Sequence, residues 1–255
     1  MTIKPSHIAA AKLKVATAAK TGESVPDWIR ELATRSLTDT IPSQESLSIP
    51  AFRTDADAGN TNAMVNLGLL YMEQGEPNQA KEWYRKAADA GNTNAMDHLG
   101  LLHMEQAEAD QAEQWYRKAA DAGNTSAMDH LALLLRQQGE HDQAEQWYRR
   151  AAEAGNTSAM VNLGFLHVEQ GEHDQAEQWY RRAADAGNTN AMDRLGLLHV
   201  EQGEPDQAEQ WYRKAADAGN TNAMVNLGLL LRKRGQADLA EQWWRRAADA
   251  KRSEA

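Results

Sequence analysis

One 32-residue phrase is written six times in this 255-residue chain without an insertion or a deletion. The marker Ala-Gly-Asn-Thr begins at Ala58, Ala90, Ala122, Ala154, Ala186 and Ala218. A period in this range, kept over about 200 residues, is the signature of a solenoid, in which each unit packs on its neighbours. It directs function away from a single catalytic pocket and toward a long repeating surface.

One unit reads as a helical hairpin. Asn60 and Thr61 follow Gly59, so a helix stop is followed at once by helix-capping residues. Ala63, Met64, Leu67, Leu70 and Tyr71 then recur at helical spacing. Gly75 ends that first helix, and Pro77 suits the first turn of the next. Ala80, Trp83, Tyr84, Ala87 and Ala88 form the stripe of the second helix, which Gly91 closes. Neither helix buries its stripe alone, so the units must stack. Gly68 lies inside the first helix, where glycine costs about 1 kcal/mol against alanine. Its recurrence at Gly100, Gly164, Gly196 and Gly228 predicts close approach of the second helix, with Ala132 taking the place in the third copy.

These residues resemble a known pattern. Leu67-Gly68-x-x-Tyr71, followed by Ala80, Tyr84 and Ala87, resembles the tetratricopeptide repeat. The run Ala87-Ala88-x-x-Gly91-x-x-x-Ala95-x-x-x-Leu99-Gly100 resembles the Sel-one-like branch of that superfamily. The resemblance extends from residue 60 to the region of residue 250. It implies an all-α fold, a right-handed α-solenoid of six 32-residue helix-turn-helix repeats, that binds proteins or peptides and performs no catalysis. It also implies that the first helices line the concave surface.

The edges of the array differ from its middle. Residues 51–59 align with the end of a second helix, with Phe52 where Tyr84 lies, and form a degenerate half-repeat before the six full repeats of residues 60–250. Residues 37–50 are rich in Ser and Thr and read as a linker. Residues 1–36 read as a short helical segment, with Val25, Trp28, Ile29 and Leu32 on one face. This segment is too small to fold alone. Three roles stay open for it: an N-terminal cap, an occupant of the groove, or a disordered tail. At the other end Lys251 replaces the glycine, and Trp243-Trp244 replaces Trp-Tyr, which reads as capping of the last repeat.

Charge narrows the partners. The first 50 residues carry six Lys/Arg and five Asp/Glu, and the remainder carries 21 and 32. An acidic surface repels phosphate backbones and anionic lipid, so neither nucleic acid nor membrane is the expected partner. The chain has no cysteine, which excludes disulfides, thiol catalysis and zinc sites built on cysteine. Lys12, Lys14 and Lys20 break the apolar character of the first 20 residues, and no stretch approaches the ~18 apolar residues of a membrane span. The expectation is a soluble cytoplasmic protein.

The copies disagree mostly in their first helices. One series reads Val65, Asp97, Asp129, Val161, Asp193, Val225, and the next Asn66, His98, His130, Asn162, Arg194, Asn226. With Leu69, Leu101, Leu133, Phe165, Leu197 and Leu229 one turn on, these residues form the candidate partner-binding groove. The drift reads either as a surface tuned copy by copy or as neutral change at exposed positions. The aspartates beside the leucines favour a protein or peptide with apolar anchors and basic flanks.

His98 and His130 lie one repeat apart, and repeat helices sit roughly 8–10 Å apart, too far to converge on one metal ion. His103, His167 and His199 read as satisfied polar groups at the core edge. No nucleophile–base pair, phosphate loop or paired catalytic acid emerges, so catalytic, cofactor-binding and metal residues are all expected to be none. The function expected is a non-catalytic binding scaffold. The alternative is a structural module that associates with itself through its ends or its groove.

Overall fold

The structure, a computed structural model, describes residues 49–254. The readings made for residues 1–36, and for the linker as far as residue 48, lie outside the described residues. Thirteen helices and no strand are present among the described residues. A nine-residue helix, α1 (Ile49–Asp57), occupies the degenerate half-repeat. Six hairpins follow: α2 (Thr61–Glu73) with α3 (Pro77–Asp89), α4 (Thr93–Glu105) with α5 (Ala109–Asp121), and α6 (Thr125–Gln137) with α7 (His141–Glu153). The rest are α8 (Thr157–Glu169) with α9 (His173–Asp185), α10 (Thr189–Glu201) with α11 (Pro205–Asp217), and α12 (Thr221–Lys233) with α13 (Ala237–Glu254). This is the all-α architecture of a helical repeat solenoid.

The chain divides into two compact units, Met1–Ala95 and Met96–Ala255, and the division falls within α4. In the first unit α1 packs on α2 and α2 on α3. Leu67, Ala80, Tyr84 and Ala87 are buried there. In the second unit α7, α9 and α11 each pack both on their own first helix and on the first helix of the next copy, α5 packs on α6, and α13 packs on α12. Its buried stripe repeats as Ala144, Tyr148, Ala151 and Ala152 on α7, then as Ala176, Tyr180, Ala183 and Ala184 on α9. The tryptophans read into this stripe behave unevenly. Trp83 is buried, whereas Trp147, Trp179 and Trp211 are half-buried and lie under cations three residues on, at Arg150, Arg182 and Lys214.

The glycine inside the first helix is explained by the tyrosine opposite. A Cβ built on Gly164 would stand 2.5 Å from Tyr180 Cε1, closer than any relaxed contact. The ring therefore occupies the volume that a side chain would need. The third copy manages with Ala132, and Tyr148 beside it remains buried.

The Ala-Gly-Asn-Thr marker performs three tasks at each junction. At the end of α7, Gly155 adopts φ +93, a left-handed conformation that glycine reaches without steric cost. The Asn156 N–H then donates to Ala151 O at 2.9 Å. Next, the Asn156 side chain caps α8 by accepting from Ala159 N at 2.9 Å. Finally, its amide donates to Thr125 O at 3.0 Å, at the start of the previous first helix. One residue thus closes a turn, caps a helix and ties two copies together.

Candidate partner-binding surface

The first helices carry two kinds of variable position. In the second unit Leu101, Leu133 and Leu229 are exposed, and Phe165 and Leu197 are half-buried. In the first unit Leu69 is exposed, Val65 is buried and Asn66 is half-buried. The leucine series therefore supplies apolar surface at intervals of one repeat.

The aspartates are placed differently from their sequence reading. Asp97 and Asp193 are only 7% and 8% exposed, and Asp129 is half-buried. Each accepts a hydrogen bond from the residue 33 positions later, in the next copy. Asp97 Oδ1 lies 2.8 Å from His130 Nδ1, and Asp129 Oδ1 accepts from Asn162 Nδ2 at 2.8 Å. Asp193 Oδ1 accepts from Asn226 Nδ2 at 2.8 Å. Where the acceptor is lost, at Val161, the residue 33 positions on is Arg194, which lies over the Phe165 ring at 5.9 Å. Within the second unit the variation in these two series thus follows neighbour-to-neighbour bonding.

The electrostatics agree with that placement. Burial pushes the carboxyls of Asp129 and Asp193 above the usual range, against the hydrogen bonds from Asn162 and Asn226. The hydrogen bond to Asp97 raises His130 above its ordinary value, and burial works the other way. His98 moves down, because burial outweighs the field of Asp97. The cluster of Asp97, His98, Asp129 and His130 thus holds one histidine biased toward its charged form and one toward its neutral form.

Between the second and third copies the surface opens into a shallow recess of about 180 Å³, lined by Leu101, Met104, Tyr116, His130, Leu133, Leu134 and Gln137. Farther along, Phe165 lies beneath two guanidinium groups, Arg136 at 5.5 Å and Arg194 at 5.9 Å. The recess and the covered aromatic make this surface uneven, although the sequence presents it as a uniform row.

The three buried histidines are only half satisfied. Nδ1 of His103, His167 and His199 lies 2.6–2.8 Å from Oε2 of Glu108, Glu172 and Glu204. Their Nε2 atoms are buried without a hydrogen-bond partner, which corrects the expectation of full satisfaction. Among the described residues, no group of three or more His, Cys, Asp or Glu is arranged to hold a metal ion. No helix among them is long and apolar enough to cross a membrane.

Stacked helical hairpins with an uneven apolar surface on their first helices define a helical-repeat protein. Sequence profiles of the tetratricopeptide repeat match residues 61–90, 124–188, 157–221 and 194–255, and the Sel1 repeat profile matches residues 94–124. The chain belongs to the tetratricopeptide and Sel1 type of repeat proteins. Such repeats generally mediate protein–protein contacts and are generally non-catalytic.

Among solved structures it is similar to c5321, a protective antigen with an SLR fold present in uropathogenic Escherichia coli strains. The two are 30% identical with a TM-score of 0.62, over 80% of this chain and 49% of that one. The chain thus spans about half the length of c5321. A Sel1 repeat protein from Oxalobacter formigenes is 28% identical with a TM-score of 0.65, over 78% of this chain and 89% of that one. PilF of Pseudomonas aeruginosa shares the fold at 21% identity and a TM-score of 0.61, over 74% and 90% of the two chains. No curated protein sequence matches the chain.

Proposed function

We propose that the chain is a non-catalytic scaffold that binds a protein or peptide on the surface of its first helices. The observation that carries this reading is the recurrence of exposed Leu101, Leu133 and Leu229 at the same position of the second, third and sixth repeats. Each such side chain gains roughly 1.5–3 kcal/mol when fully buried, so two or three anchors give useful affinity after the costs of association. The recess beside Leu101 and Leu133 offers a place for an apolar side chain of the ligand. A cavity of about 150 Å³ is known to hold a benzene-sized group.

The aspartates bond within the array, so the preference for basic flanks rests on overall charge. Residues 92–219 carry ten Lys/Arg and 22 Asp/Glu. A ligand with apolar anchors and basic flanks meets both properties, and its binding weakens with salt.

Site-specific photo-crosslinking tests the surface without a known partner. A photoreactive residue at Leu133 is expected to yield a discrete protein adduct in the cells that make this protein, and one at exposed Gln146 on α7 is not. Equal adducts at both positions, or adducts only at Gln146, would contradict the assignment.

A further inference from the structure

The recess between the second and third copies has a filled counterpart two repeats further along the second unit. Phe165 stands at the repeat position of Leu101, and Arg194 at that of His130. In the fourth and fifth copies the Arg194 guanidinium lies over the Phe165 ring at 5.9 Å, and Arg136 lies over the same ring at 5.5 Å. In the second and third copies Leu101 and His130 both line the recess of about 180 Å³. By register, the smaller Leu101 leaves open the place that an aromatic ring fills in the later pair. The volume suits such a ring.

The walls agree with the register. Met104 offers a thioether, which makes favourable contacts with aromatic rings. The Tyr116 ring is tilted 43° to that of His130, with the centroids 5.5 Å apart, and tilted aromatic contacts of this kind are preferred over face-to-face stacking. His130 Nδ1 lies 2.8 Å from Asp97 Oδ1, and this bond raises the imidazole above its ordinary value and favours its charged form. The other titratable groups around it are His98 on α4, Tyr116 on α5 and Asp129 on α6. Tyr148 on α7 feels the field of Asp129, and the uncharged Asn162 on α8 donates to that carboxylate. A cation at the edge of an apolar recess attracts the face of an aromatic ring and adds nothing for an aliphatic side chain.

We infer that the recess seats an aromatic side chain of the protein or peptide partner, beneath the His130 ring as Phe165 lies beneath Arg194. The inference rests on the proposed binding surface and specifies the residue type which that surface reads at its second and third copies. A ring in the recess favours the charged form of His130. Its affinity is therefore full at acid pH and declines as pH rises through the His130 value.

Nuclear magnetic resonance of the full chain tests the seat with two neutral probes, N-acetylphenylalanine amide and N-acetylleucine amide, followed at the methyl group of Met104. At about pH 5.5 the aromatic probe is expected to bind about threefold or more tightly than the aliphatic one, and the preference is expected to shrink toward about pH 8.5. His130→Arg, which repeats the arrangement of Arg194, is expected to keep the preference and flatten its pH dependence. His130→Asn is expected to lose both. Leu101 is exposed and the fourth copy already carries phenylalanine at this position, so Leu101→Phe is expected to fill the recess and abolish the shift without loss of melting temperature. Equal affinity for the two probes, no shift with either, or a preference that survives His130→Asn or Leu101→Phe overturns the inference. The photo-crosslink at Leu133 does not depend on these probes. An adduct there without an aromatic preference removes the seat and leaves the binding surface standing, whereas the absence of an adduct removes the surface itself.

Discussion

At the residue scale, the strained turn at Ala107 and the titration of His130 each yield a prediction. Among the described residues eleven glycines with positive φ end helices, but the turn between α4 and α5 uses Ala107 at φ +58. A left-handed alanine costs about 1 kcal/mol or slightly more through contact of its Cβ with the backbone. Ala107→Gly is therefore expected to raise stability by about 1 kcal/mol in denaturant melts, offset partly by the added freedom of the unfolded chain. An unchanged or lower midpoint would mean that the turn is not strained. The titrating group is His130, whose Nδ1 bonds Asp97. The folded-state value of His130 is raised, so its contribution to stability is full below about pH 6.5 and is lost as pH rises through the folded value. Asn162 and Asn226 make the same bond without a titrating group. His130→Asn is thus expected to flatten the decline in melting temperature from slightly acid to slightly alkaline pH. A variant with the same pH profile as the unmodified protein would remove this pair from the account.

At the element scale, the hairpin is held by the tyrosine of its second helix. Tyr148 is 1% exposed and lies on the stripe with Ala144, Ala151 and Ala152. Tyr148→Ala is expected to cost about 3 kcal/mol by the scale of buried aromatic truncations. A loss below about 0.5 kcal/mol would show that this stripe is not the core. The hairpin was legible in the sequence because each of its signals is local. Helical spacing gave Leu67, Tyr84 and their copies, Gly155-Asn156 gave the stop and the cap, and Gly164 gave the close approach to Tyr180. The setting of the aspartates was less legible because the surroundings of Asp97 or Asp193 depend on a residue 33 positions away. Part of the signal was present, since Asp is followed at that distance by His130, Asn162 or Asn226 and Val161 by Arg194, although Val65 is followed by His98. Reading each series by itself turned hydrogen-bond acceptors into a ligand-facing row of charge. Leu101, Leu133 and Leu229 are exposed, because an apolar residue off the buried stripe of an amphipathic helix has only the surface left to occupy.

At the scale of the whole molecule, a repeated hairpin turns small differences between copies into differences of place along one surface. The second and third copies hold an apolar recess, and Phe165 farther along lies under two arginines. The sixth copy reverses the charge balance of those before it. A uniform array would bind alike everywhere, whereas this one has its apolar recess beside Leu101 and Leu133. The most direct measurement is the affinity of the partner crosslinked at position 133, determined by calorimetry for the unmodified chain and for the double variant Leu101→Glu/Leu133→Glu. Leu101 and Leu133 are exposed, so the double variant is expected to melt with the unmodified chain. The scaffold account predicts that it binds at least about tenfold more weakly, a loss of about 1.4 kcal/mol or more. Equal affinity of the two proteins for that partner would contradict the account.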